Sequence, residues 1–256
     1  MRVAAASVTW ADAARQAAFE RWIAAIGPRH DIDPDSLAPA SADASFRRYL
    51  RVDCEGGGGG NGGGGPRSLI IMDAPPRFED VRPFVRVARL IRSAGLHAPQ
   101  VIEADEAQGF LLLEDLGQNL YLDALSSAAP AEVERLMRDA LSALVRLQQG
   151  VPAAALPRYE AAQIAAELAL FPEWCVQREF GIHWGRAEQG AWQGLCRLII
   201  DSALAEPVVA VHSDFMPRNL MVCKAGANAI SSAQLGGFIE ALLVEPNAVA
   251  AVAIQQ

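Results

Sequence analysis

The stretch Val211-His212-Ser213-Asp214-Phe215-Met216-Pro217-Arg218-Asn219-Leu220-Met221-Val222 constrains this chain more than any other. Apolar runs flank it, Pro207 to Val211 and Leu220 to Val222, so it reads as strand, tight loop, strand. An aspartate stands two residues after a histidine, and an asparagine five residues after that aspartate. Phosphoryl transfer needs this pairing: a carboxylate to orient and deprotonate an attacking hydroxyl, and an amide oxygen to hold a magnesium ion. Asp214 is therefore the candidate catalytic carboxylate and Asn219 the candidate metal ligand. His212 reads as a brace for the loop rather than a general base. Arg218 has two readings, neutralising phosphate charge or pairing with a loop carboxylate. The plainer alternative is a surface loop rich in turn-forming residues. The H-x-D-x-x-x-x-N spacing and both flanking apolar runs weigh against it.

Composition narrows the class. The chain has 256 residues, 52% hydrophobic and 20% charged, enough apolar material for a sizeable core. Its formal net charge of −8 argues against a general nucleic-acid or anionic-membrane binder, while leaving room for a local basic pocket. Cys54, Cys175, Cys196 and Cys223 are scattered without a C-x-x-C pair, which fits free thiols in a reducing cytoplasm. The amino terminus meets Asp12, Arg15 and Glu20 before any long apolar run and does not read as a signal peptide. No run of apolar residues is long enough to suggest a membrane span.

Along the chain, Phe19, Trp22, Ile23 and Ile26 recur at helical spacing over residues 10–26, with Gly27-Pro28 as the expected stop. Strands fit around Ala44 to Val52 and Ser68 to Asp73. Between them Gly56 to Gly65 is glycine apart from Asn61, and reads as a flexible hairpin insertion rather than a phosphate loop. Val81, Phe84, Val85, Ala88 and Ile91 mark a helix ended by Gly95. Gln100 to Ala104 and Gly109 to Glu114 read as two further strands. After residue 117 the pattern turns helical, with apolar stripes at 133–145, 164–171 and 192–200 expected to be core faces.

The 211–222 loop resembles the catalytic loop of the kinase superfamily, in its aminoglycoside and choline phosphotransferase branch. Ser45-Phe46-Arg47-Arg48-Tyr49, Leu69-Ile70-Ile71-Met72-Asp73-Ala74-Pro75-Pro76 and Leu111-Leu112-Leu113-Glu114-Asp115-Leu116-Gly117 resemble the bacterial anomeric N-acetylmuramate/N-acetylglucosamine kinases of cell-wall recycling. The resemblance covers roughly residues 10 to 223. It implies an α+β, protein-kinase-like fold of two lobes. Residues 1–116 would form a nucleotide-binding N-lobe with a small antiparallel sheet, and 117–223 part of a helical C-lobe. Residues 224–256 would be an atypical tail. It also implies ATP and Mg²⁺ as cofactors and a small amino sugar as acceptor. The turn Ser41 to Arg47 would lie over the phosphates, with Ser45 donating a hydrogen bond and Arg47 supplying charge; an ordinary polar turn is the equal alternative. Glu114 to Gly117 falls at the hinge, where backbone groups of Glu114 and Leu116 would meet the base and the acidic pair itself would simply be solvated. Glu173 and Trp174 would border the sugar pocket or pack structurally.

Two departures stand out. The strand Ile70-Ile71-Met72-Asp73 lacks the usual phosphate-binding lysine, a charge that Arg47 or Arg48 would have to supply. More seriously, a second metal-binding aspartate should follow Asn219 by roughly a dozen residues, yet no aspartate follows Asp214, and Ser231-Ser232-Ala233-Gln234 stand there instead. The sequence after Cys223 leaves the family pattern, and the expectation is a truncated or frame-shifted carboxy-terminal part with an incomplete C-lobe. Three readings stay open: an active amino-sugar kinase, a catalytically dead nucleotide- or sugar-binding remnant, and a non-functional truncated product.

Overall fold

The computed structural model describes residues 8–10, 12–41, 47–55 and 67–223, together with a short strand at 233–234. The glycine tract and Ser45 lie outside the described residues. Helix α1 (Ala13–His30) starts at Asp12, whose Oδ1 accepts from the Arg15 N–H at 2.7 Å. It buries Phe19, Trp22, Ile23 and Ile26, the expected face. The helix passes its expected stop, because Pro28 lies in the last turn and deletes only one backbone donor there. It ends where Asp31 adopts φ 54° and bonds its N–H to the Gly27 carbonyl.

Strands β1 (Ile32–Ser41), β2 (Arg48–Cys54), β3 (Arg67–Asp73), β4 (Val101–Asp105) and β5 (Phe110–Glu114) form one sheet in the order β1-β2-β3-β5-β4, every pair antiparallel. β2 is described from Arg48, and the expected start at Ala44 lies outside the described residues. β1 carried no sequence signal, since Asp33, Pro34, Asp35 and Pro39 all disfavour strands. It survives at the sheet edge, where a missing donor costs nothing. Its register breaks between Asp33 and Ala38, and Ser36 seals the irregularity: Oγ accepts from the Asp53 N–H at 2.8 Å and donates to the Asp33 carbonyl at 2.6 Å.

β3 and β5 are apolar on both faces because both are covered. Leu50, Val52, Leu69, Ile71, Phe110 and Leu112 pack with α1, while Met72, Leu111 and Leu113 pack with Phe84, Val85, Ala88 and Ile91 of α2 (Arg82–Ser93). Gly109 is required at the β4–β5 turn. Its φ is +69°, and a Cβ there would lie 1.9 Å from the Ala74 carbonyl oxygen. That closeness lets the Ala74 N–H reach the Gly109 carbonyl at 2.9 Å.

One carboxylate sits inside this layer. Asp73 is fully buried; its Oδ1 accepts from Arg15 Nε at 2.8 Å and Nη2 at 2.5 Å, and its Oδ2 from Arg48 Nε at 3.0 Å and also from Arg48 Nη2. Arg15 further donates to the Gln108 carbonyl at 2.5 Å and stacks 3.7 Å over the Phe110 ring.

The helical part comprises α3 (Tyr121–Ser127), α4 (Pro130–Gly150), α5 (Ala161–Leu170), a π-helical continuation at Phe171–Glu179, and α6 (Arg186–Ala205). α4 buries Leu136, Ala140, Ala143 and Leu147 in the core it shares with α2. The expected core stripe is only half right, because Met137, Leu141 and Val145 are exposed, turned away from that core. The 192–200 stripe is likewise not a core face: α6 buries no residue among those described, and Leu195, Leu198 and Ile199 are exposed. Phe171, Trp184 and Trp192 gather with centroids 5.2–6.4 Å apart and link α6 to the π-helical turn. No described helix is long and apolar enough to cross a membrane.

Removing the central carboxylate leaves two guanidinium groups facing each other in the sheet. Asp73→Ala is therefore expected to cost about 3–5 kcal/mol of stability, read from urea unfolding midpoints of the two proteins at an equal slope.

Candidate active site

The run Pro207 to Val211 does not form the expected strand; no ladder pairs it among the described residues. Its apolar character comes from packing instead, with Ala210 buried in the core shared by α2 and α4. Downstream the strand does form. β6 (Met221–Val222) pairs with β7 (Ala233–Gln234), Met221 opposite Gln234 and Val222 opposite Ala233. The start of α3 holds the other side: the Tyr121 N–H donates to the Leu220 carbonyl at 2.9 Å, and the Val222 N–H to the Asn119 carbonyl at 2.8 Å.

Between these anchors a short 3₁₀ turn, Pro217–Asn219, folds Asn219 back onto Asp214. The Asn219 side-chain amide donates to Asp214 Oδ2 at 2.6 Å and to the Asp214 carbonyl at 3.0 Å, while its backbone N–H reaches the Met216 carbonyl at 2.9 Å. With the amide nitrogen committed to Asp214, the Asn219 oxygen is the atom turned elsewhere. Both side chains are half-buried.

His212 is buried and braces the loop from beneath. Its Nδ1 accepts from the Asp214 N–H at 3.2 Å, so the neutral ring carries its proton on Nε2, and Phe215 meets the ring edge-on at 5.1 Å. Burial pulls its pKa down from 6.5 to about 3. Arg218 is exposed and pairs with no carboxylate among the described residues, so the loop ion pair drops out of its two expected roles.

The hinge expectation needs correcting on one point: the acidic pair is held by hydrogen bonds rather than simply solvated, with Asp115 nearly buried and Glu114 half-buried. Glu114 accepts from His97 Nε2 at 2.8 Å and the Gln100 N–H at 3.2 Å, with Arg92 at 3.5 Å, and its own N–H is spent on the Gln100 carbonyl at 2.9 Å. Asp115 accepts from Arg51 Nε at 2.6 Å, Arg51 Nη2 at 3.0 Å, Ser68 Oγ at 2.7 Å and the Gly117 N–H at 2.8 Å. Burial pushes both carboxyl groups up, and these hydrogen bonds outweigh it, holding both below their usual range. The Leu116 carbonyl faces Cys223 Sγ at 3.6 Å; burial, with Glu114 nearby, pushes that thiol up to about 12.

The two arginines expected to replace the absent lysine are committed elsewhere. Arg47 is buried and donates to Glu79 through Nε at 3.1 Å and Nη2 at 2.8 Å; Arg48 is held by Asp73. Glu173 and Trp174 lie on the π-helical turn, where Arg178 pairs with Glu173 at 2.7 Å and stacks 3.9 Å over an exposed Trp174 ring. Among the described residues no group of three or more His, Cys, Asp or Glu side chains forms a metal cage. Magnesium needs no such cage, since it keeps waters and binds through one or two protein oxygens plus phosphate. The Asn219 amide oxygen fits that demand. Arg51 and Ser68 carried no role in the sequence reading, and Asp115 was read only as a solvated hinge residue. The only signal was the alternation Leu50-Arg51-Val52, which puts the arginine on the face opposite the α1 core.

Comparisons with known proteins bear on this geometry. Residues 36–231 match the profile described as phosphotransferase enzyme family, APH. An N-acetylmuramate/N-acetylglucosamine kinase of Pseudomonas aeruginosa is 45% identical over 192 residues, 75% of this chain and 53% of that protein. A protein of the same name from Pseudomonas putida is 44% identical over 191 residues, 75% of this chain and 52% of that one. The chain spans about half the length of the curated relatives it matches. Among solved structures, the GDP complex of aminoglycoside 2′-phosphotransferase-IIIa superposes with a TM-score of 0.56 over 86% of this chain and 70% of that chain, at 10% identity. That likeness is one of fold.

A histidine that is neutral when folded and protonates near pH 6.5 when unfolded makes stability fall as pH drops from about 6.5 towards 3. Protonation would also convert the Nδ1 acceptor into a donor facing the Asp214 N–H. His212→Gln should flatten this acid limb by on the order of a few kcal/mol, measured as urea stability of both proteins at pH 7 and pH 4.

Proposed function

The chain belongs to the phosphotransferase enzyme family, and from that membership we propose that its loop transfers the γ-phosphoryl group of ATP to a hydroxyl of an amino sugar. One observation carries the reading: the 2.6 Å hydrogen bond between Asn219 and Asp214. It fixes the carboxylate by Oδ2 and leaves Oδ1 to receive the acceptor's hydroxyl. In the transfer that hydroxyl oxygen bonds to the γ-phosphorus as the β–γ bridging bond breaks; ADP departs, and the hydroxyl proton goes to Asp214. The loose transition state asks mainly for position and charge stabilisation, which the fixed Asp214 carboxylate supplies. His212 and Phe215 keep the loop rigid beneath it. Exposed Arg218 is the described cation of the loop and would face phosphate charge.

At the hinge, the Leu116 N–H would donate to the base. Glu114 and Gly117, on either side, have committed their own N–H groups to the Gln100 carbonyl and the Asp115 side chain. The Asn219 amide oxygen would hold magnesium, which when bound draws charge from the phosphates. We take the nucleotide part to end near residue 116 and the acceptor part to begin after the hinge. The relatives' names supply the acceptor class, N-acetylmuramate or N-acetylglucosamine, and such a reaction belongs to cell-wall recycling in the cytoplasm.

A second reading is favoured by a separate observation. No aspartate follows Asp214, and at the sequence offset of the family's second metal carboxylate stand the neutral residues Ser231-Ser232-Ala233-Gln234. A protein that binds nucleotide or sugar without turnover would look the same elsewhere.

The discriminating test begins with a thermal melt of the chain with and without Mg²⁺-ATP. At 100 times its dissociation constant, a ligand specific for the folded form adds about 2.7 kcal/mol. A shift accompanied by N-acetylmuramate-dependent ADP release that falls about 10²–10⁴-fold in Asp214→Asn establishes the kinase. A shift without ADP release establishes the binding protein, and an unmoved melt removes both.

A further inference from the structure

The proposed function leaves unexplained why the hinge carries a nearly buried aspartate. Asp115 shows 6% of its side chain to solvent and receives four hydrogen bonds, from Arg51 on β2, Ser68 on β3, and Gly117 two residues ahead. Arg51 Nη2 also donates to the Gly117 carbonyl at 3.0 Å. One carboxylate thus ties two strands and the outgoing chain to a single point. Gly117 completes it with φ +94°, a conformation that a side-chain-bearing residue adopts only under strain.

The arrangement sorts the hinge backbone. The Glu114 N–H, the Gly117 N–H and the Gly117 carbonyl are each consumed by protein partners, and the Leu116 carbonyl faces the Cys223 thiol. The Leu116 N–H and the neighbouring Asp115 N–H are the hinge donors for which no described residue supplies an acceptor. Register places Arg51 beside Tyr49 on the sheet face opposite α1, the face shared by Ser68 and Ile70, so the clamp lies on the side of the sheet that looks toward β6 and the catalytic loop.

We propose that Arg51 and Asp115 are positioning residues for the nucleotide: they hold residues 115–117 in the one backbone conformation that presents the Leu116 N–H to the base. This inference rests on the nucleotide reading of the hinge given above. Neither side chain touches the reacting atoms, so their loss acts on affinity for nucleotide and leaves the Asp214–Asn219 pair as it is.

The test uses the full chain and ADP without metal. Titration calorimetry reads ADP affinity, and amide hydrogen exchange by NMR reads residues 115–117 in the nucleotide-free protein. Arg51→Ala should weaken ADP binding on the order of tenfold and accelerate exchange at Gly117. Arg51→Lys, which keeps the charge but not the two-pronged contact, should recover part of both effects. Ser68→Ala removes one bond to Asp115 without unpairing a charge, and serves where Arg51→Ala folds poorly; a smaller loss of affinity with faster Gly117 exchange is expected. Faster exchange with unchanged ADP affinity overturns the positioning role and leaves the site reading standing. Slow Gly117 exchange in every variant shows that the clamp does not hold the hinge and overturns it too. A wild-type chain that binds no ADP overturns the site reading itself, and this proposal with it.

Discussion

Everything in the sheet region depends on where Asp73 sits. A lone carboxylate in that interior would be expelled or neutralised; here two guanidinium groups, from Arg15 on α1 and Arg48 on β2, meet it from different elements. Such a trio adds little net stability, because desolvating three charges offsets most of the attraction. What it supplies is register. It fixes α1 across the sheet, sets the end of β3, and through Arg15 and the Gln108 carbonyl holds the β4–β5 turn where Gly109 passes within contact of Ala74. Residues 115–117 follow directly from β5, so their position inherits that registration.

The same device recurs at smaller scale. Glu79 holds Arg47, and Asp115 holds Arg51, each through two guanidinium nitrogens of one arginine. Only one lysine, Lys224, occurs in the whole sequence, so nearly all the basic charge is arginine. The fork geometry of the guanidinium lets one cation satisfy a carboxylate and neighbouring carbonyls at once, which a lysine ammonium cannot match. A chain of net charge −8 thereby commits much of its positive charge to internal joints and leaves Arg218 exposed at the loop.

Legibility in the sequence tracked the distance over which the physics acts. The loop carrying Asp214 and Asn219 stood out because a five-residue spacing is local, while the hydrogen bond between the two became visible only with the turn at Pro217–Asn219. The helix over 82–93 was readable because its apolar period is local. Arg51 and Asp115 lie 64 positions apart and meet only through strand pairing, which no spacing rule announces. Arg47 was assigned by analogy to phosphate binding; its partner Glu79, 32 positions on, is visible only once β2 lies beside the chain leaving β3. β1 was invisible because its prolines and aspartates oppose strand formation everywhere except at an edge. The stripes of α4 and α6 were correctly seen as apolar, but periodicity says which side is greasy, not what lies against it.

Cys223 follows β6 directly, and its thiol donates to the Leu116 carbonyl on the chain leaving β5. Held near a pKa of about 12, it carries almost no thiolate at neutral pH, and thiolate is the form that alkylating reagents attack. Its reactivity therefore depends on separation of β6 from the hinge. The rate at which it is alkylated becomes a chemical clock for how often β6 parts from Leu116.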